Sequence, residues 1–513
     1  MQVVENRGLR LKVRDPQRIT TAIPTSKLIG SNEVLVKWGV DEARVLRNLN
    51  IKNVPSPILG KYEWPGQYKP FDHQKITSSF LTMNPRSFCF NEQGTGKTAS
   101  AIWAADFLLR EKIINKVLII CPLSIMDSAW RADLFKFAMH RTVDIAHGPK
   151  DKRRKIIMSG ADFMIINYDG VEIVEEHIKM AGYDLIIVDE ATHYKNAQSK
   201  RWKTLSRIVK PETWIWMMTG TPAAQSPLDA FGLAKLINPL AVPRAFSSFR
   251  EVVMHRITQF KWVPKDTAVR TVHAALQPAI RYTKKECLDL PEMTYAKREV
   301  ALTTQQKKYY KAVREHMLTM AAGEQVTAVN AAVTMNKLLQ ISCGAVYADS
   351  GKTVEFDIKN RYKVLKEVID EASQKVLVFV PFKHTIDILS EKLVKDNITN
   401  GIIRGDVNVS KRTELFRKFQ DEDAPRVLII QPQAAAHGVT LTAANTVVWW
   451  SPVASLETYV QANARVHRTG QHHPCTVVQL QGSPVEKRIY KLLDEKIDVH
   501  TKIIDLYNEV LEI

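Results

Sequence analysis

The chain has 513 residues, room for about two to four domains of ordinary size. Lysine and arginine total 72 against 54 aspartates and glutamates, a formal charge of +18 with an isoelectric point near 9.5, which fits a polyanionic partner or a generally basic, soluble surface. No run approaches the roughly 18 apolar residues of a membrane helix, and Cys89, Cys121, Cys287, Cys343 and Cys475 include no CxxC pair, which excludes a membrane-spanning chain and a cysteine-built zinc site. The opening MQVVENRGLRLKVRD lacks the apolar stretch of a signal peptide, so a cytoplasmic protein is expected.

In chain order, residues 1–60 read as a small N-terminal accessory domain and linker, with NVPSPILGKYEWPGQYKP (53–70) rich in proline and glycine. From 61 to 232, short Val/Ile-rich runs recur: KVLIICP (116–122), DFMIIN (162–167), DLIIVDE (184–190) and WIWMMTG (214–220). Between them lie stretches such as TASAIWAADFLLREK, apolar at helical spacing. That alternation predicts a parallel sheet covered by helices on both faces. Residues 233–350 turn helical and strand-poor, too long for an ordinary connection. A second strand series at 375–381, 400–406, 426–432, 445–452 and 475–480 predicts another α/β half over 351–495, followed by a C-terminal helical brace at 496–513.

Three stretches carry chemistry. In NEQGTGKT (91–98) an apolar SFCF strand precedes the loop and an Ala-rich helix follows it. Backbone N–H groups of such a loop bind phosphate oxygens, Lys97 reaches the β and γ phosphates, and Thr98 holds Mg²⁺. Asn91 stands where the full pattern has glycine. The strand YDLIIV then delivers Asp189 and Glu190 at its carboxyl end, Asp189 to hold hydrated Mg²⁺ and Glu190 to orient and deprotonate the attacking water. Alone, such a pair is equally a helix cap. In YVQANARVHRTGQ (459–471) a helix capped by Ser455 and ended by Gly470 would put Gln461, Arg465 and Arg468 on one face. Two arginines so placed are either solvated or poised to neutralise a transferring phosphoryl group.

FDHQ, GTGKT, CPLSIMDSAW, NYD, DEATHYKN, TGTP, GVTLTAA and QANARVHRTGQ, in this order, resemble a superfamily-two helicase, specifically the Swi/Snf-type DNA translocases, over about residues 70–495. The resemblance implies α/β architecture with two RecA-like parallel-sheet domains in tandem, a helical insertion between them and a small N-terminal accessory domain. It implies ATP and Mg²⁺ as cofactors, with Gln74 reading adenine, Phe71 stacking on it, and Gly94, Thr95, Gly96, Lys97, Thr98 and Gly438 binding the nucleotide. Lys97, Asp189, Glu190, Arg465 and Arg468 would be catalytic, with ATP bridging the two halves. Gly220, Thr221 and Gln461 would couple nucleotide state to the track, and Ser124, Asn167, Thr440 and Thr442 would contact the DNA backbone.

The implied activity is an ATP-dependent double-stranded DNA translocase, a monomer acting on forks, junctions or DNA-bound proteins in a bacterial or phage-infected cell. An RNA-directed helicase or a remodeller of a nucleic-acid-bound polymerase is the alternative. The family pattern usually has His fourth in the acidic motif, where Thr192 stands and His193 follows. It often has an acid where Ala464 precedes Arg465. His467, His472 and His473 cluster without a carboxylate or cysteine to complete a metal site, and Trp449 and Trp450 read as strand interior.

Overall fold

The computed structural model describes residues 1–66, 68–220, 226–258, 262–287, 290–321, 328–347, 353–435 and 439–495. Thr221, Gly438 and the brace at 496–513 lie outside the described residues. The chain divides into two units, Met1–Cys287 and Leu288–Ile513.

The first unit opens with a four-stranded antiparallel sheet of β1 (Gln2–Val4), β2 (Gly8–Lys12), β3 (Lys27–Gly30) and β4 (Glu33–Lys37), in the order β1-β2-β4-β3. Strict alternation turns Leu9, Leu11, Val34 and Val36 inward, where they meet Ile19, Leu46 and Met83. Met83 ends the helix Asp72–Met83, so this small sheet packs on the first helix of the α/β region. The proline-rich stretch that follows is tied down as well. Tyr62 Oη donates to Asp106 Oδ2 at 2.5 Å and Trp103 Nε1 donates to the Pro65 carbonyl at 3.1 Å, both partners belonging to the helix Lys97–Arg110.

Strands β5 (Arg86–Cys89), β6 (Val117–Cys121), β7 (Val143–Ile145), β8 (Phe163–Asn167), β9 (Leu185–Val188) and β10 (Trp214–Met218) form a parallel sheet, followed in the chain by a ribbon of β11 (Met254–Arg256) and β12 (Trp262–Pro264). β13 (Ala279–Ile280) completes seven strands in the order β13-β5-β10-β9-β6-β8-β7. The β6, β9 and β10 runs, and β8 up to Asn167, are apolar because helices bury both faces. Register aligns Met218 with Cys89, Met217 with Val188 and Cys121 with Asn167, so the segments after these strands emerge at one end of the sheet.

The second unit has β14 (Met293–Glu299), a ribbon of β15 (Ala345–Tyr347) and β16 (Thr353–Glu355), then β17 (Lys375–Phe379), β18 (Asn400–Ile403), β19 (Val427–Ile430), β20 (Ala444–Trp449) and β21 (Cys475–Gln481). Its parallel sheet runs β14-β21-β20-β17-β19-β18. The stretch 233–350, read from sequence as strand-poor, holds both β13 and β14 besides the long helices Thr304–Ala321 and Ala328–Cys343. Trp449 and Trp450 are fully buried on opposite faces, Trp449 Nε1 donating to Asn463 Oδ1 at 2.9 Å and Trp450 Nε1 to the Cys343 carbonyl at 2.9 Å. Four of the five cysteines are buried, Cys287 is half-buried, and all are free thiols.

A buried ion pair pins the last described helix of this unit, Pro484–Asp494. Arg361 Nη2 meets Glu486 Oε2 at 2.8 Å with the two side chains 3% and 0% exposed. The same carboxylate oxygen accepts the N–H groups of Gly482 at 2.7 Å and Ser483 at 2.9 Å, and Arg361 Nη1 donates to the Trp450 carbonyl. Arg361→Met strands that carboxylate without its cation. It is expected to cost about 3–5 kcal/mol, read from the midpoint of urea unfolding followed by tryptophan fluorescence.

Candidate active site

The loop between β5 and the helix Lys97–Arg110 turns on two left-handed glycines, Gly94 at φ 85° and Gly96 at φ 79°. At Gly96 a second constraint acts, since a Cβ there would lie 2.0 Å from Gln74 Nε2. Only glycine satisfies both the backbone angle and this approach. Lys97 Nζ donates to the carbonyls of Asn91 at 2.8 Å and Glu92 at 3.2 Å, which holds the ammonium back over the loop it follows. Thr95 is buried beneath it: its Oγ1 donates to the Glu92 carbonyl at 2.8 Å, and its own carbonyl meets His73 Nε2 at 2.8 Å and Gln74 Nε2 at 3.4 Å.

Gln74 Oε1 accepts the Phe71 N–H at 2.9 Å, fixing the amide across the entrance to the helix. Phe71 is exposed and its ring lies parallel to that of His73, 5.8 Å between centroids. His73, which sequence reasoning passed over inside FDHQ, is thus the closer of the two side chains on the loop. Gly220 ends the β10 segment against the same loop, where a Cβ would come 3.3 Å from Gln93 Cγ and 3.7 Å from the Asn91 carbonyl.

Asn91 has a specific use where the common pattern has glycine. It is buried, donates from Nδ2 to Thr77 Oγ1 at 2.8 Å, and accepts the Tyr282 N–H on Oδ1 at 3.0 Å. Glu92 continues the connection: its N–H donates to the Tyr282 carbonyl at 2.8 Å and its Oε2 accepts the Lys284 N–H at 3.0 Å. With Phe88 N–H on the Pro278 carbonyl and Phe90 N–H on that of Ile280, residues 278–284 run as a strap from β5 up to the lysine loop.

Asp189 and Glu190 follow β9 at the same end of the sheet. Asp189 is buried; its Oδ2 accepts Trp130 Nε1 at 2.9 Å and its Oδ1 accepts the Glu190 N–H at 3.0 Å. Its carbonyl accepts Tyr168 Oη at 2.6 Å. Glu190 has left-handed backbone, φ 47° and ψ 56°, strained for a side chain of its size. Gln93 Nε2 of the lysine loop lies 3.5 Å from Glu190 Oε1, joining loop and acidic pair. Trp130 sits inside CPLSIMDSAW, whose sequence points to Ser124 and is silent about this contact.

Thr98, half-buried at the first turn of its helix, and Asp189 offer a hydroxyl and a carboxylate. Hard oxygens in that number suit Mg²⁺, which keeps several waters and takes its other ligands from nucleotide phosphates. Among the described residues no group of three His, Cys, Asp or Glu side chains is arranged to hold a metal without such help.

In the second unit the helix expected over 459–471 is shorter. It spans Leu456–Asn463, with Ser455 capping Thr458 N–H as expected, and ends at Ala464. Arg465 lies in a turn and Arg468 in a bend beyond it, and Gly470, at φ 94°, lies in a further turn rather than at the helix end. The helical face proposed for Gln461, Arg465 and Arg468 therefore does not exist. The reason is a competing set of hydrogen bonds: the Arg465 carbonyl accepts Leu441 N–H at 3.0 Å, and Arg468 Nη1 donates to the Val439 carbonyl at 3.2 Å. Gln471 Nε2, buried, donates to the carbonyls of Ala444 at 2.8 Å and Thr442 at 3.3 Å. Gln461 is buried, with its amide on Glu457 Oε1 at 3.0 Å. His467 Nε2 meets the Pro291 carbonyl at 2.8 Å, and the N–H groups of His472 and His473 both donate to Gln471 Oε1.

The four candidate backbone contacts differ in setting. Asn167 ends β8, and its Oδ1 accepts Arg153 Nη1 at 3.0 Å. Thr440 is exposed, and Thr442 Oγ1 accepts Gln420 Nε2 at 3.2 Å. Ser124 Oγ is buried and makes no hydrogen bond among the described residues.

Two RecA-like lobes, one carrying a lysine loop and an acidic pair, define the class of nucleoside-triphosphate-driven motors. The SNF2-related domain model matches residues 78–344, just over half the chain, and the helicase conserved C-terminal domain model matches 360–470. The chain belongs to the SNF2-related ATP-dependent helicases. It is 24% identical over 460 residues to chromodomain-helicase-DNA-binding protein 1-like of Danio rerio, covering 85% of this chain and 44% of that protein. It is 25% identical over 429 residues to the uncharacterized ATP-dependent helicase MG018 of Mycoplasma genitalium, covering 81% and 40%. The chain thus spans less than half the length of these curated relatives. Among solved structures it is similar to the Sulfolobus solfataricus SWI2/SNF2 ATPase core in complex with dsDNA, with TM-score 0.42 and 23% identity over 88% of this chain and 95% of that one.

Gly96→Ala is expected to lower affinity for a fluorescent ADP at least about tenfold, equivalent to about 1.4 kcal/mol, while circular dichroism stays unchanged. Asn91→Gly restores the common pattern yet removes two buried hydrogen bonds, and is expected to lower stability by roughly 1–3 kcal/mol in urea unfolding.

Proposed function

We propose that the chain is an ATP-driven translocase on double-stranded DNA, moving along or remodelling it at forks, junctions or DNA-bound proteins. The observation that carries this reading is the lacing of two segments in the second unit. Residues 439–444, with Thr440 and Thr442, are hydrogen-bonded to 465–471, with Arg465 and Arg468, through Leu441, Arg468 and Gln471. A backbone-gripping surface that shares hydrogen bonds with phosphate-neutralising arginines cannot shift without moving them.

In this reading Lys97 leaves its two carbonyls for the β and γ phosphates, the loop N–H groups bind phosphate oxygens, and Gln74 takes the adenine edge with Phe71 against its face. Thr98 and Asp189 would hold Mg²⁺, which when bound neutralises charge on the phosphates. Glu190 orients and deprotonates water, and Arg465 and Arg468 are the candidates for stabilising the charge that develops on the transferred phosphoryl group. Asn167, Thr440 and Thr442 engage sugar-phosphate backbone, which positions the motor without reading sequence. The charge of +18 supports the same partner and calls for affinity that falls steeply with salt.

ATP turnover is to be measured with duplex DNA, single-stranded DNA and RNA. Duplex DNA is expected to stimulate most, Lys97→Ala to abolish turnover, Glu190→Gln to retain ATP binding without turnover, and Arg468→Ala to lose DNA-stimulated hydrolysis. Stronger stimulation by RNA than by duplex DNA rejects the reading, and turnover by Glu190→Gln equal to the parent rejects Glu190 as the base.

A further inference from the structure

Asn167 and Tyr168 are consecutive residues with different tasks. At Asn167 the carboxamide is locked: Arg153 Nη1 donates to Oδ1 at 3.0 Å, and Arg153 is itself buried, held by the carbonyls of Ala146 at 3.0 Å and Gly148 at 2.7 Å. Gly170 leaves room for this pair, since a Cβ there would come 2.3 Å from Arg153 Nη1 and 2.8 Å from Asn167 Oδ1. A guanidinium only donates, so its partner must be the amide oxygen. That leaves Asn167 Nδ2, which makes no hydrogen bond among the described residues, as a donor of fixed direction. A donor suits a phosphate oxygen.

Tyr168 reaches the acidic pair. Its hydroxyl donates to the Asp189 carbonyl at 2.6 Å. Its ring is fixed by His193 and Tyr194, with centroids at 4.6 and 5.8 Å, and by the Arg201 guanidinium 5.2 Å above it. The accepting carbonyl belongs to the peptide that leads into Glu190, whose left-handed backbone persists only while its surroundings hold it there. Releasing this hydrogen bond frees that peptide and with it the direction of the Glu190 carboxylate. Thr192 stands where the family pattern has a histidine, so the Tyr168 hydroxyl is a different route from the polynucleotide side to the acidic pair.

We propose that Tyr168 is a positioning residue through which a nucleic-acid phosphate bound at Asn167 sets the Asp189–Glu190 peptide for hydrolysis. This rests on the proposed function, because it needs a polynucleotide at Asn167. Its signature is in the ratio of DNA-stimulated to DNA-free turnover rather than in affinity for either ligand.

The test uses the full chain, a blunt duplex oligonucleotide at fixed salt, and the variants Tyr168→Phe, Asn167→Ala and the double variant. Tyr168→Phe keeps the ring and its packing and removes one oxygen. It is expected to lower the stimulation ratio about 5- to 10-fold, within the range of coupling between two sites, with duplex affinity and ATP KM within about twofold of the parent. The double variant is expected to be no less stimulated than the weaker single variant, as residues acting through one connection are non-additive. Parent-like stimulation of Tyr168→Phe, or losses that multiply independently in the double variant, overturns the inference alone. Absence of stimulation of the parent by duplex DNA overturns the proposed function and this inference together.

Discussion

The left-handed step at Gly96 is the constraint on which the shape of the lysine loop depends. It turns the chain from β5 into the helix Lys97–Arg110 within a single residue, aims the first N–H groups of that helix outward, and leaves Gln74 packed where a side chain would otherwise stand. The cost of the turn is borne by the helix behind it, in which Ala101, Ala104 and Ala105 are fully buried and permit close packing beside the sheet. Lys97 inherits its position from this geometry. Its ammonium rests on two carbonyls of its own loop.

Around that loop the first unit gathers contributions from many segments rather than one motif. His73 and Gln74 steady Thr95, Gly220 closes against Gln93 and Asn91, and Gln93 extends toward Glu190. The second unit places Arg465 in a turn and Arg468 in a bend instead of on a helix. Its arginines are presented by an irregular segment whose shape is set by main-chain hydrogen bonds to 439–444 and by the buried amide of Gln471. A side-chain amide serves there because it can donate to carbonyls of one segment and accept N–H groups from the next.

The parallel sheets were legible because strands covered on both faces must be continuously apolar. KVLIICP, DFMIIN and RVLIIQP announce themselves in this way. β13 and β14 were not, for a physical reason: they are edge strands, β13 has two residues, and β14 buries none of its seven side chains fully, so neither carries an apolar run. The positions of the lysine loop after β5 and of the acidic pair after β9 could be read because each follows directly on a strand run. The turn at Arg465 and the bend at Arg468 could not, because what ends the helix at Asn463 is a hydrogen bond from Leu441, 24 positions before Arg465, and helical spacing is silent about such a partner. Trp130 and Arg153 escaped notice for the same reason. Their roles exist only once Asp189 and Asn167 have been brought beside them.

The strap at 278–284 has a practical corollary for dissecting the molecule. Because Asn91 and Glu92 hold Tyr282 and Lys284 by their main-chain N–H groups, the outer neighbour of β5 is supplied by chain that comes nearly 200 positions later. A fragment truncated before Gln277 would lose that neighbour and expose a raw sheet margin next to its most demanding turn, whereas one carried through Cys287 retains it. Where a scissor falls between Gln277 and Cys287 thus separates an amputated lobe from a whole one.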